Sequence, residues 1–108
     1  MTKTTLAEAK NQQFTFTAKV WLYPGKAGWQ FVSLPTALSK ELDYLFEDNK
    51  RGFGSLKVEV TVGETVWSTS IFPDKKSKSY LLPLKAHVRK QEQIQVDKTV
   101  RVSFQVIP

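Results

Sequence analysis

The sequence predicts a small all-β domain, a barrel or sandwich of about six strands with two short helical interruptions. Three observations carry this reading. Residues 55–72 alternate apolar and polar on both sides of Gly63-Glu64, residues 99–107 alternate as cleanly, and turn signals recur at short spacing between them. With 108 residues the chain is one domain with a modest core. Its 41% hydrophobic and 24% charged residues describe a globular chain, since disorder needs fewer large apolar residues and more net charge.

Taken in order, residues 1–13 are polar and aperiodic, so they read as a flexible N-terminal tail to a single domain over residues 14–108. Residues 14–23 alternate as one strand, with Phe14, Phe16, Ala18, Val20 and Leu22 inward and Trp21 and Tyr23 on the polar face. Pro24-Gly25 opens a loop that runs to Gly28. Residues 29–34 form a second strand, stopped by Pro35. A helix follows, with Thr36 or Ser39 as its expected cap. Leu38, Leu42, Leu45 and Phe46 make its apolar stripe, opposite Lys40, Glu41, Asp43, Tyr44, Glu47 and Asp48. Lys50 and Arg51 suit the helix's negative C-terminal end.

The hairpin over residues 55–72 has the clearest signal. Glycine at the first central position is what a two-residue type II′ turn requires, and Gly63 occupies it. That turn sets the register: Val62 opposite Thr65, Val60 opposite Trp67, Val58 opposite Thr69 and Leu56 opposite Ile71. All eight share the buried face, while Lys57, Glu59 and Thr61 with Val66, Ser68 and Ser70 share the wet one. A basic loop, a strand over residues 78–82 stopped by Pro83, a helical turn over residues 85–91 and the last strand complete the chain. One echo links its halves: strand, Leu34-Pro35, helix is followed 48 positions later by strand, Leu82-Pro83, helix. It points to two equivalent halves about a pseudo-twofold axis in one chain.

No cysteine is present, which excludes disulfides, thiol catalysis and cysteine-ligated metal sites and fits a reducing compartment. No apolar run approaches the roughly 20 residues of a membrane span, and the start lacks a signal peptide's apolar region. The expected location is cytoplasmic, with no membrane partner. His87 has no second histidine or cysteine to join it in a metal or catalytic set, so it reads as a surface or half-buried structural histidine. Asp43, Glu47 and Asp48 read as a solvated helix face rather than paired carboxylates. Gly52-Phe53-Gly54 lacks the Lys-Ser/Thr of a phosphate loop and reads as a bend. No enzyme, cofactor or metal is expected.

The order of Trp29-x-Phe31-Val32-x-Leu34-Pro35, Gly52-Phe53-Gly54, the valine-rich hairpin closing on residues 67–73, and Val88-Arg89-Lys90 before a final strand resembles one bacterial family. It is known as domain of unknown function nineteen-oh-five, and the resemblance covers residues 14–106. It implies a double-split β-barrel capped by two short helices, with pseudo-twofold halves in one chain. The fold class includes AbrB-type transcription factors, and residues 82–102, with Leu82-Pro83, Val88-Arg89, Ile94 and Asp97-x-x-Val100, resemble their pattern. The glycine that usually precedes the aspartate is Val96 here.

Two surfaces are candidates for binding. The first is aromatic: Trp21 and Tyr23 fall on the outward face, with Trp29 across the loop, although packing against the core explains them equally and is favoured. The second is basic. Of the net charge of +6, most follows Pro73, where eight cations face three acidic groups; Lys75, Lys76, Lys85, Arg89, Lys90 and Arg101 are its main members. Lys85, Arg89 and Lys90 are spaced to share one side of a short helix. The leading expectation is a non-enzymatic binding or interaction module, with a protein partner possible. The alternative is a nucleic-acid-binding module that uses the basic C-terminal half.

Overall fold

The computed structural model describes residues 6–108, with side chains from Glu8 onward. Seven antiparallel strands form a nearly closed barrel: β1 (Phe14–Lys19), β2 (Trp21–Leu22), β3 (Gln30–Ser33), β4 (Leu56–Val62), β5 (Thr65–Asp74), β6 (Ser79–Pro83) and β7 (Thr99–Val106). The sheet order is β1-β7-β4-β5-β6-β3-β2. Because β1 runs directly into β2, the two ends of that order are joined by one chain segment, which closes the barrel. The helices are α1 (Leu6–Lys10), α2 (Thr36–Leu45) and α3 (Ala86–Gln91). None of the helices among the described residues is long and apolar enough to cross a membrane.

The hairpin β4–β5 has the register that its turn dictates, with Leu56 to Val62 paired in order against Ile71 to Thr65. Gly63 has φ +58° and Glu64 does not share the positive φ, as a type II′ turn demands. A side chain at Gly63 would collide with the Glu92 carboxylate, whose Cδ lies 2.9 Å from the ideal Cβ position. Glu92 in turn accepts a hydrogen bond from the Thr65 hydroxyl. The loop and the end of α3 are thereby locked together. Val58, Val60, Leu56, Ile71 and Trp67 enter the core, where they meet Phe104, Val102 and Val106 from β7.

Three expectations need correction. Residues 14–23 are not one regular strand. At Val20 the chain stops its ladder with β7 and moves to β3, so the alternation breaks and Leu22 stands 48% exposed rather than inward. Val20 itself is clamped there, donating to the Lys98 carbonyl and accepting from the Asp97 amide. Neither Thr36 nor Ser39 caps α2; Pro35 precedes it without a side-chain cap, and buried Ser39 donates to the Pro35 carbonyl and accepts from the Tyr80 amide. The segment read as a tail is helical from Leu6 to Lys10, residues 1–5 lying outside the described residues. Ala9 packs against the core, and the Lys10 ammonium reaches Asn49 Oδ1 at 3.2 Å.

The pseudo-twofold relation is visible in the ladder. Ser33 pairs with Leu81, and these residues are also 48 positions apart, so the axis passes between them. The first half is β1 to β4 with α2, the second β5 to β7 with α3. The turn before β7 forms without a glycine, because Asp97 itself takes φ +70°; aspartate tolerates the left-handed region better than most residues.

Candidate functional site

The barrel's outer surface is chemically divided. On β1, β7 and β4 the outward side chains include Thr15, Thr17, Arg101, Ser103, Lys57 and Glu59, a polar face. On β2, β3, β6 and the end of β5 they are mostly apolar. Trp21, Phe31 and Pro83 form one cross-strand row, and Ser33, Leu81 and Phe72 the next. The rings interlock: Trp21 stacks on Phe31 at 5.3 Å between centroids and on Tyr23 at 6.0 Å, and Tyr23 leans on Trp29 at 5.9 Å. Ser33 Oγ accepts the Trp21 indole N–H at 3.0 Å, which fixes that ring. Trp29 is 54% and Phe72 42% exposed.

Part of this face is concave. Residues 28–31 on one side and 83–86 with Arg89 on the other flank a groove of about 620 Å³ floored by Phe31, Phe72 and Leu81. Its lining carries two cations, Lys85 and Arg89, and no carboxylate. The Arg89 guanidinium spans the groove's end, donating from Nε to the Leu84 carbonyl and from Nη2 to the Gly28 carbonyl, both at 3.0 Å. Lys26 adds a third cation, 5.6 Å from the Trp29 ring centroid. The model of the family described as a domain of unknown function, DUF1905, matches residues 16–104. The chain belongs to the DUF1905 family. No curated protein matches it.

In this DUF1905 chain, Trp21, Tyr23 and Trp29 are gathered into one patch, half-buried to exposed rather than inside the core. Lys85 and Arg89 join them at the groove. The remaining basic residues do not. Lys75 and Lys76 lie in the β5–β6 turn, at the far end of β6 from Lys85, and Arg101 lies on β7, across the barrel from β6. Lys90 is exposed on α3 beside Arg89 and does not line the groove, which Lys85 and Arg89 do. Phe31, Phe72, Leu81 and Pro83 escaped the sequence reading. Their signal was parity: Phe31 matches Trp29, and Phe72 matches the wet Ser68 and Ser70.

A second, more polar cleft of about 410 Å³ lies between α2 and the β5–β6 turn, lined by Lys40, Asp43, Lys75, Lys78, Ser79 and Tyr80 among others. The buried Tyr80 hydroxyl donates to Asp43 Oδ1 at 2.6 Å, and the same oxygen meets the Lys50 ammonium at 3.1 Å. Burial first, then the Asp43 carboxylate, push the Tyr80 phenol well above its ordinary value. The Glu47 carboxylate chiefly holds the Lys50 ammonium in its charged form. The Ser77 hydroxyl, donating to Asp74, keeps that carboxylate below the usual range. The Tyr80–Asp43 bond fastens β6 to α2. His87 is exposed on α3, and among the described residues no group of histidines and carboxylates is placed to hold a metal ion.

Proposed function

We propose that this DUF1905 chain is a cytoplasmic, non-enzymatic binding module that works through the aromatic groove. The observation that carries this reading is the contiguous outward cluster of Trp21, Tyr23, Trp29, Phe31, Leu81 and Phe72, set apart from the polar face of β1, β7 and β4. Large apolar surface in water costs about 25 cal/mol per Å² relative to burial, and a contiguous exposed patch marks an interaction site. The groove's volume falls in the range of roughly 300–1,000 Å³ typical of ligand sites. Its lining is mostly apolar with Gln30 and two cations, which suits an occupant with an apolar body and a negative group. Acid–base or nucleophilic catalysis needs a poised partner group beside the ligand, and the lining residues supply only cations.

A fragment screen by ¹H–¹⁵N correlation spectroscopy tests this. Bound fragments are expected to move the amides of Trp29, Phe31, Phe72 and Leu81, and Phe72→Asp to abolish the shifts. Shifts centred on Tyr80 and Asp43, or on residues 75–78, would overturn it. The second reading, a nucleic-acid module, is favoured by Lys26 over the exposed Trp29 ring and by Lys85 and Arg89 in the same groove, since single-stranded bases stack on aromatics between cations. Neutralising Arg89 and Lys90 together would then flatten the salt slope of oligonucleotide binding by roughly one to two units. We expect only weak association, no tighter than about 10⁻⁶ M near physiological salt.

A further inference from the structure

We infer that the groove's occupant is a free small-molecule aromatic carboxylate, its ring on the apolar floor and its carboxylate at Arg89 and Lys85. This rests on the reading of the groove as the binding site and specifies what enters it.

The charge placement selects the ligand. Both lining cations stand at the α3 end, and apart from Gln30 the other lining residues are glycine, proline or apolar. A nucleic-acid strand needs cations along its track, and here the other basic clusters lie at the far end of β6 or across the barrel. One anionic head on one apolar body matches the pattern. The floor is the face of a sheet, with Phe31 and Leu81 in adjacent cross-strand rows and the Trp29 indole as a wall, so a flat ring fits it better than a branched chain.

Arg89 selects the head group. A guanidinium has five N–H bonds in a fixed fork. Two of them are committed to the carbonyls of Leu84 and Gly28, from Nε and Nη2, and these bonds hold the group in place before any ligand arrives. The three that remain lie on Nη1 and Nη2, the pair that grips a carboxylate through two parallel bonds. A cation already fixed in its binding geometry loses little freedom on binding, which raises affinity. Lys85 supplies a second, mobile charge at the same end.

Isothermal titration with 2-naphthoate, 2-naphthylmethanol and 2-naphthyl phosphate provides the test, using the full chain. The expected result is saturable 1:1 binding of naphthoate, with the neutral alcohol at least about tenfold weaker, a difference of about 1.4 kcal/mol. Arg89→Lys is expected to remove most of that preference, because lysine keeps the charge and loses the fork. Arg101→Gln, across the barrel, should leave it unchanged. The wild-type comparison of acid and alcohol needs no variant, so an Arg89 variant that fails to fold does not remove the test. Equal affinity for acid and alcohol, with both lost in Phe72→Asp, would overturn the carboxylate assignment and leave the groove standing. Tighter binding of the phosphate would also overturn it. No binding of any probe at millimolar concentration, or binding untouched by Phe72→Asp, would sink the groove reading itself.

Discussion

Single residues decide two features of the central hairpin. Gly63 combines φ +58° with the Glu92 carboxylate pressed where a Cβ would go. Gly63→Val is therefore expected to destabilise the protein by roughly 1–3 kcal/mol in a denaturant melt. A neutral melt would show that the turn relaxes to another type and that Glu92 swings away. Trp67 is buried in the core, yet its indole N–H has no hydrogen-bond partner among the described residues. Trp67→Ala is expected to lose about 3–5 kcal/mol. Trp67→Phe should lose far less, because deleting an unpaired buried donor returns about 1–3 kcal/mol of desolvation. Equal losses would show that the N–H is satisfied in solution. Residue parity also explains what could be read of the groove in advance. Trp21 and Tyr23 stood out because they are aromatic at polar positions; Phe31 and Leu81 did not, since an outward apolar residue in an apolar strand looks like core until its cross-strand neighbours are known.

At the scale of elements, the hairpin was fully readable because a two-residue turn and a period-2 pattern each fix the register independently. The switch of β1 into β2 was not. A strand that changes partner at Val20 keeps its alternation in the sequence, and Val20 stays buried and Trp21 outward, yet Leu22 emerges into water. The uncapped start of α2 was equally hidden, because Ser39 donates to the Pro35 carbonyl and accepts from the Tyr80 amide rather than from an amide of its own helix end. The Tyr80–Asp43 bond, which joins β6 to α2, carries a pH prediction. The folded phenol holds its proton more tightly than the unfolded one. As pH rises past about 10 the unfolded chain loses that proton first, so stability is in place below this value and falls above it. Chemical melts at successive pH values between 9 and 11 should show a decline that is shallower in Tyr80→Phe. Parallel declines would mean the hydroxyl is solvated rather than held.

For the whole molecule, residues 9–11 are tied to the fold. Ala9 packs on the core, Lys10 binds Asn49, and Gln105 donates to the Asn11 carbonyl. Deleting residues 1–10 is expected to cost on the order of 1 kcal/mol through lost burial and the Lys10 bond. An unchanged melting midpoint would return the segment to the status of a tail. The pseudo-twofold axis between Ser33 and Leu81 reaches further. Each cleft is made from one half's loop and the other half's helix: β2–β3 with α3 for the groove, β5–β6 with α2 for its polar counterpart. Two identical half-chains paired about such an axis would be bound to build the same cleft twice, since every substitution appears in both copies. One chain holding both halves is released from that obligation. The positions 48 apart show the release: Gln30 and Phe31 line one cleft where Lys78 and Ser79 line the other. The two clefts can change their chemistry separately, so Lys78→Gln should alter the polar cleft and leave naphthoate binding in the groove as it was.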